Sequence, residues 1–140
     1  VKEQGWRFHM SNVMASIGIE QLRKFKVFQK QRKELAKHYQ KSLSGVIEVE
    51  FLDIDYNLIT PHIFVVKVKN GRRDVLRAEL EIQGVQTGIH YYPNHLLEYY
   101  LSYALPRTEL LYSSLLTLPL HPDLKKSDID FICRVIKSIL

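Results

Sequence analysis

Apolar residues recur along the first third of the chain at Met14, Ile17, Leu22, Phe25, Phe28, Leu35, Tyr39 and Leu43. The spacing is close to the 3.6-residue period of an α-helix. Ser11 and Asn12 stand just ahead of the series, and short side chains of this kind accept a hydrogen bond from a free N–H of the first turn. Gly45 stands where a glycine ends a helix. The pattern predicts one helix over 11–43, roughly 50 Å long at 1.5 Å per residue. A helix of that length runs past a small body, to join two domains or to meet another subunit. A coiled coil is the rival reading, and Gly18 and Arg32 interrupt its seam.

The period then shortens. "VIEVEFL", with Val46, Ile47, Val49, Phe51 and Leu52, is β-like, and a polar loop through Asp53, Asp55, Asn57 and Pro61 leads to a clear strand over 63–68. Asn70-Gly71 marks a turn. "RRDVLRAELEIQG" reads as an amphipathic helix with Val75, Leu76, Leu80 and Ile82 available for burial and Gly84 as its stop. "VQTGIHYY" reads as another strand, running to Pro93, so that two strands flank one helix. "HLLEYYLSYA" and "RTELLYSSLLTLP" suggest two short helices, the second halted by Pro119. The last segment predicts a helix capped by Ser127, with Asp130 three residues on and a stripe of Ile129, Ile132, Cys133, Ile136 and Leu140. The expected fold class is α+β: a long N-terminal helix and a small, mainly antiparallel sheet with helices on one side.

Composition narrows the class without changing this picture. The 140 residues suffice for one compact domain with a real core, and 46% apolar with 25% charged residues is ordinary for a globular chain. No run approaches the roughly 18 apolar residues of a membrane span. "VKEQGWRF" lacks the apolar region of a secretory signal, and the single Cys133 gives no disulfide framework, so a cytoplasmic location is the expectation. The net charge of +5 is uneven. Arg23, Lys24, Lys26, Lys30, Arg32, Lys33, Lys37 and Lys41 fall in the long helix with only Glu20 and Glu34 between them. A solvated outer face, a nucleic-acid contact and a phosphate field all fit such a run.

The candidate chemistry is imidazole. His90 and His95 lie on either side of Pro93 at the exit of an expected strand, a common place for substrate contacts. No third ligand is spaced for a metal, so the pair reads as hydrogen-bonding a polar ligand or as ordinary loop histidines. His121, between prolines, reads as a turn residue; His38 and His62 read as bland and Cys133 as core. There is no Gly-x-Ser-x-Gly elbow, no Walker loop and no dinucleotide-binding glycine pattern. No lysine stands out as a desolvated Schiff-base candidate. From the residues alone, the chain holds ligand-contacting side chains without a catalytic engine.

Three stretches carry a resemblance. "GWRFHMSNVMASIGIEQLRKF" resembles the Gly-Tyr-Asn-x-Arg-Met-Ser/Thr-Asn-x-x-Ala-Ala-Ile-Gly-x-x-Gln-Leu segment of sugar aminotransferases of the DegT/DnrJ/EryC1/StrS type. "GVQTGIHYYPNHLLEYY" resembles that family's His-Tyr-x-Pro-x-His-Leu stretch, and "LLTLPLHPDLKKSDIDFICRVIKSIL" its closing Leu-Pro-Leu-His-Pro and terminal helix. They occur in the family's order across essentially 5–140.

The resemblance implies the small C-terminal domain of an aspartate-aminotransferase-fold (fold type I) enzyme that uses pyridoxal 5'-phosphate. The implied reaction moves an amino group, usually from glutamate, to a keto group on a nucleotide-linked deoxysugar. The Schiff-base lysine and the groups that tune the cofactor would lie in a larger N-terminal domain. Residues 1–10 would end the loop of that domain, 11–45 would be a connecting helix and 46–140 the small domain. Arg7 stands at the position that reaches the cofactor phosphate across a homodimer, in place of the family's asparagine, and His9 stands where the family often has arginine. His90 and Tyr91 match the pair that lies against the sugar, and His95 the second histidine of that loop. Trp6 replaces a tyrosine. A nucleotide-diphosphate sugar and an amino-acid donor are the implied partners, with no membrane. A stand-alone basic module that binds nucleic acid, and a non-catalytic dimerisation domain descended from such an enzyme, are the alternatives.

Overall fold

In the computed structural model, which describes Gly5, residues 9–100 and residues 103–140, the first apolar series forms a single helix, α1 (Asn12–Leu43). The Ser11 hydroxyl accepts from the Met14 N–H at 3.3 Å, and Gly45, at φ 92°, turns the chain away through a left-handed backbone that a Cβ would oppose. Only the C-terminal part of α1 reaches the core, through Leu35, Ala36, Tyr39 and Leu43. Its N-terminal half carries an open apolar stripe, with Val13 69% and Leu22 73% exposed.

The sheet has three strands, β1 (Val49–Phe51), β2 (Phe64–Val68) and β3 (Leu115–Leu118), in the order β1-β2-β3 and antiparallel throughout. Val49 pairs with Val68 and Phe64 with Leu118. Along β2, Phe64, Val66 and Val68 are buried while Val65 and Lys67 are half-buried. This period-two alternation marks a sheet covered on one face. That face meets α1, α2 (Arg73–Ile82) and α4 (Lys126–Ile139), which contribute Leu76 and Leu80, and Ile129, Ile132 and Ile136, to one apolar cluster. Cys133 is part of it, and burial pushes its thiol up to about 11. The expected α+β class therefore stands, with α1, α2 and α4 over one face of the sheet.

Two expectations about strands exchange places. Residues 85–92 form no strand: Gly88 makes only an isolated bridge to Thr117. The third strand comes instead from a segment expected to be helical. α3 (Pro106–Ser114) stops where Ser113 and Ser114 turn their hydroxyls back onto the Leu110 and Leu111 carbonyls. The chain then extends, and Leu116, Thr117 and Leu118 are buried against β2. After Pro93 a short 3₁₀ turn (Asn94–Leu96) replaces the expected helix. The start of α4 is also set differently: Asp128, not Ser127, supplies the side-chain cap, its carboxylate accepting from the Lys125 N–H at 2.9 Å, and Asp130 instead meets His38 at 2.7 Å. Val75 and Ile82 of α2 face solvent.

Arginines tie these elements together through backbone carbonyls. Arg32 donates from α1 to the carbonyls of His62 at 2.9 Å and Leu120 at 3.0 Å. Arg72 donates to the carbonyls of Ile139 and Leu140, groups that a helix C-terminus leaves without partners. The buried Arg73 reaches the carbonyls of Tyr112 at 2.9 Å and Leu115 at 3.1 Å.

The tightest join is Tyr39, which is fully buried, stacks on Phe64 at 4.7 Å between centroids and donates its hydroxyl to the Pro119 carbonyl at 3.1 Å. Tyr39→Ala should destabilise the chain by about 3–5 kcal/mol, as for other buried aromatics, and Tyr39→Phe by about 1 kcal/mol for the lost hydrogen bond. Urea unfolding measures both, and two near-neutral variants would contradict this packing.

Candidate functional site

Gly84, at φ 77°, ends α2 and lets the Val85 N–H donate back to the Leu80 carbonyl at 2.8 Å. Val85 is buried, so the chain is anchored before it runs along the flank of β3. There Gly88 and Thr117 exchange backbone hydrogen bonds of 2.9 and 2.8 Å. His90 follows, exposed, with Nδ1 2.9 Å from the Thr117 hydroxyl oxygen. Tyr91 is 80% exposed and meets the His90 ring edge-on at 5.0 Å.

Between this loop, the end of β3 and α4 lies a cavity of about 750 Å³. His90, His121, Asp128 and Thr87 supply polar groups to it, and Leu118 and Phe131 apolar walls. The His121 carbonyl accepts from the Leu124 N–H at 3.2 Å, so its backbone holds the expected turn while the residue also lines the cavity. None of the lining residues is a lysine or arginine. Imidazole, hydroxyl, the Asp128 carboxylate and apolar walls suit a polyhydroxylated or heterocyclic group that carries hydrogen-bond donors; a pyrophosphate would need cations from elsewhere.

The structure brings His90 and Tyr91 together and sets His95 apart. His95 sits in the 3₁₀ turn with its side chain only 10% exposed, and its Nε2 is 3.1 Å from Glu109 of α3. It borders a separate depression with Tyr100, Leu105 and Thr108. His9 is exposed ahead of α1 and does not line the His90 cavity. Arg7 and Trp6 lie outside the described residues. Among the described residues there is no group of three or more His, Cys, Asp or Glu placed to hold a metal ion, and no helix long and apolar enough to cross a membrane.

Sequence reasoning did not find Thr117, Gly88 or Glu109. Thr117 lies 27 residues from His90 in a segment that reads as helix, so nothing local links them. Glu109 had a local signal, being an acid in the first turn after Pro106.

The same architecture occurs in known aminotransferases. Over 99% of this chain and 38% of that chain it superposes on an aminotransferase, TlmJ from Streptoalloteichus hindustanus, with a TM-score of 0.86 at 29% identity. Over 94% of this chain and 35% of that chain it superposes on Spr1654 from Streptococcus pneumoniae in its PMP form, with a TM-score of 0.86 at 25% identity. The sugar aminotransferase CalS13 from Micromonospora echinospora shares the fold, with a TM-score of 0.83 at 20% identity over 96% of this chain and 37% of that one. These likenesses show that the chain has the fold of one part of those proteins. The chain belongs to the DegT/DnrJ/EryC1/StrS aminotransferase family, whose model matches residues 1–137. It spans between 35 and 38% of the length of those three proteins.

Glu109 gives the site a pH signature. Hydrogen bonds from His95 and from the Leu105 N–H, the latter at 3.2 Å, hold its carboxyl below its ordinary value of 4.5. A lowered folded-state value means that this tie is fully present above pH 4.5 and is lost as pH falls through the folded value. The Leu105 amide signal should therefore titrate below pH 4.5 in NMR spectra and stop doing so in Glu109→Gln. Unaltered titration in that variant would exclude the tie.

Proposed function

We propose that this chain is the C-terminal part of a pyridoxal-phosphate-dependent enzyme that transfers an amino group, with glutamate as donor, to the keto group of a nucleotide-linked deoxysugar. The observation that carries the reading is the His90–Tyr91 corner beside a cavity of imidazole, hydroxyl and apolar groups with one carboxylate, Asp128, in a chain of this family. Such a surface can hold sugar hydroxyls by imidazole and phenol hydrogen bonds while apolar walls exclude water. His90 and Tyr91 would lie against the sugar, and His95, steadied by Glu109, would meet the substrate from its separate depression.

The cations for the phosphates would come from outside the cavity. Arg7 would serve the cofactor phosphate across a homodimer, by charge-assisted hydrogen bonds, with His9 beside the substrate. Pyridoxal phosphate supplies the electron sink for amino transfer when bound. The described residues do not make a cofactor site by themselves. No lysine lines the cavity, and Lys33, Lys37, Lys67 and Lys69 face Asn57 or Glu50. In this reading residues 1–10 continue a cofactor domain, α1 connects the two domains, and residues 46–140 form the small domain. The exposed stripe on the N-terminal half of α1 supports that role, because it is apolar surface without a cover among the described residues.

The basic face of α1 offers less to a nucleic acid than its composition suggests. Arg32, Lys33 and Lys37 are spent on His62, Leu120 and Asn57, and Arg23 and Lys30 on Glu20 and Glu34.

The deciding assay uses the longest native gene product that contains this chain, with glutamate and a nucleotide-linked keto-deoxysugar. Wild type should turn over, and His90→Ala should lower kcat/KM about tenfold or more, the equivalent of roughly 1.4 kcal/mol of lost binding. The 140-residue chain alone should give no turnover. Activity that survives His90→Ala unchanged, or transamination by the isolated chain, would overturn the proposal.

A further inference from the structure

His90 is held by a contact that the family reading does not use. Gly88 and Thr117 face each other across two backbone hydrogen bonds and pair nowhere else along that loop. The His90 imidazole lies over this bridge. A methyl group built on Gly88 would stand 2.5 Å from His90 Cε1, 3.2 Å from Nδ1 and 3.3 Å from Nε2. Gly88 does not have the left-handed backbone of Gly84 or Gly71. Its conformation therefore does not call for glycine; the space taken by the ring does.

Thr117 closes the arrangement from the other side. It is buried while the histidine is exposed, and its hydroxyl oxygen is 2.9 Å from Nδ1. A hydroxyl has one donor and two acceptor positions, so it can donate to a bare Nδ1 or accept from a protonated one. In the first case Nε2 carries the hydrogen and presents a donor; in the second, a neutral ring presents Nε2 as an acceptor. Either way Nδ1 is engaged, and no partner for Nε2 occurs among the described residues.

We infer that Gly88 and Thr117 are positioning residues for His90: together they form a seat that fixes the imidazole at the cavity mouth and leaves Nε2 for a ligand's hydroxyl or carbonyl. The importance of that ligand contact rests on the proposed function; the seat itself does not. The seat lets the ring exchange donor for acceptor without leaving its place, which suits a partner whose oxygen is a keto group before the reaction and whose nitrogen is an amine after it.

The test is a long-range ¹H–¹⁵N correlation spectrum of the imidazole rings in the 140-residue chain, with His90 assigned through His90→Gln. Thr117→Val keeps the side-chain shape and removes the hydroxyl, and should move both His90 ring nitrogens toward the signals of a free, solvated imidazole. Thr117→Ser should retain the wild-type signals. Gly88→Ala keeps the hydroxyl but places a methyl where the ring lies. Because that methyl meets only the end of a side chain, the variant should fold normally and show the same shift as Thr117→Val. Unmoved His90 signals in folded Thr117→Val, or in Gly88→Ala if the valine variant fails to fold, would overturn the seat. A serine variant that behaves like valine would overturn the role of the hydroxyl. Neither substrate nor turnover enters this readout, so its failure is distinguishable from failure of the aminotransferase reading.

Discussion

A single buried tyrosine ties the long helix to the sheet. Tyr39 lies face to face with Phe64 of β2, and its hydroxyl reaches the Pro119 carbonyl just beyond β3. Stacking fixes the helix against the middle strand, and the hydrogen bond fixes where the chain leaves the third. Burial drives the Tyr39 phenol far above its ordinary range, which favours the neutral, donating form. Arg32, two turns earlier on α1, repeats the theme by donating to the Leu120 carbonyl beside the same exit. The stretch 117–121, with the threonine under His90 and the histidine across the cavity, is thus held from the helix side as well as by the sheet.

Much of this was legible in the sequence, where the signal was local. The period of α1, its Ser11 cap, the β-branched run of β2 and the stripe of α4 all depend on neighbours within a few residues. β3 was not legible, because leucines at helical spacing satisfy a helix as readily as a buried strand. What decides is the pairing of Phe64 with Leu118, which no window of neighbours contains. Misplacing β3 also hid the site's support. His90 and Tyr91 were visible from their place before a proline, whereas Thr117 and Glu109 become relevant only when the chain folds back on itself.

The division of chemical labour follows from the same geometry. The cavity offers imidazole, hydroxyl, one carboxylate and apolar surface without lysine or arginine. In the proposed reading the ligand is a nucleotide sugar, with neutral hydroxyls and a charged pyrophosphate, and such a surface would answer the first half of it. The other half calls for cations that this cavity does not hold; the resemblance gives Arg7 to the cofactor phosphate instead. The apolar stripe on the N-terminal half of α1, next to that segment, is surface of the kind that a further domain or a second subunit covers.

The most direct measurement is the intact mass of the protein in its native source, set against the 16.5 kDa of these residues. If α1 connects two domains and the site is shared, more protein surrounds them, and the proposal predicts a mass more than twice 16.5 kDa, in line with aminotransferases of which this chain spans between 35 and 38%. A native mass of 16.5 kDa would contradict it, because α1 would then connect to nothing and the cavity would act without the rest of the site.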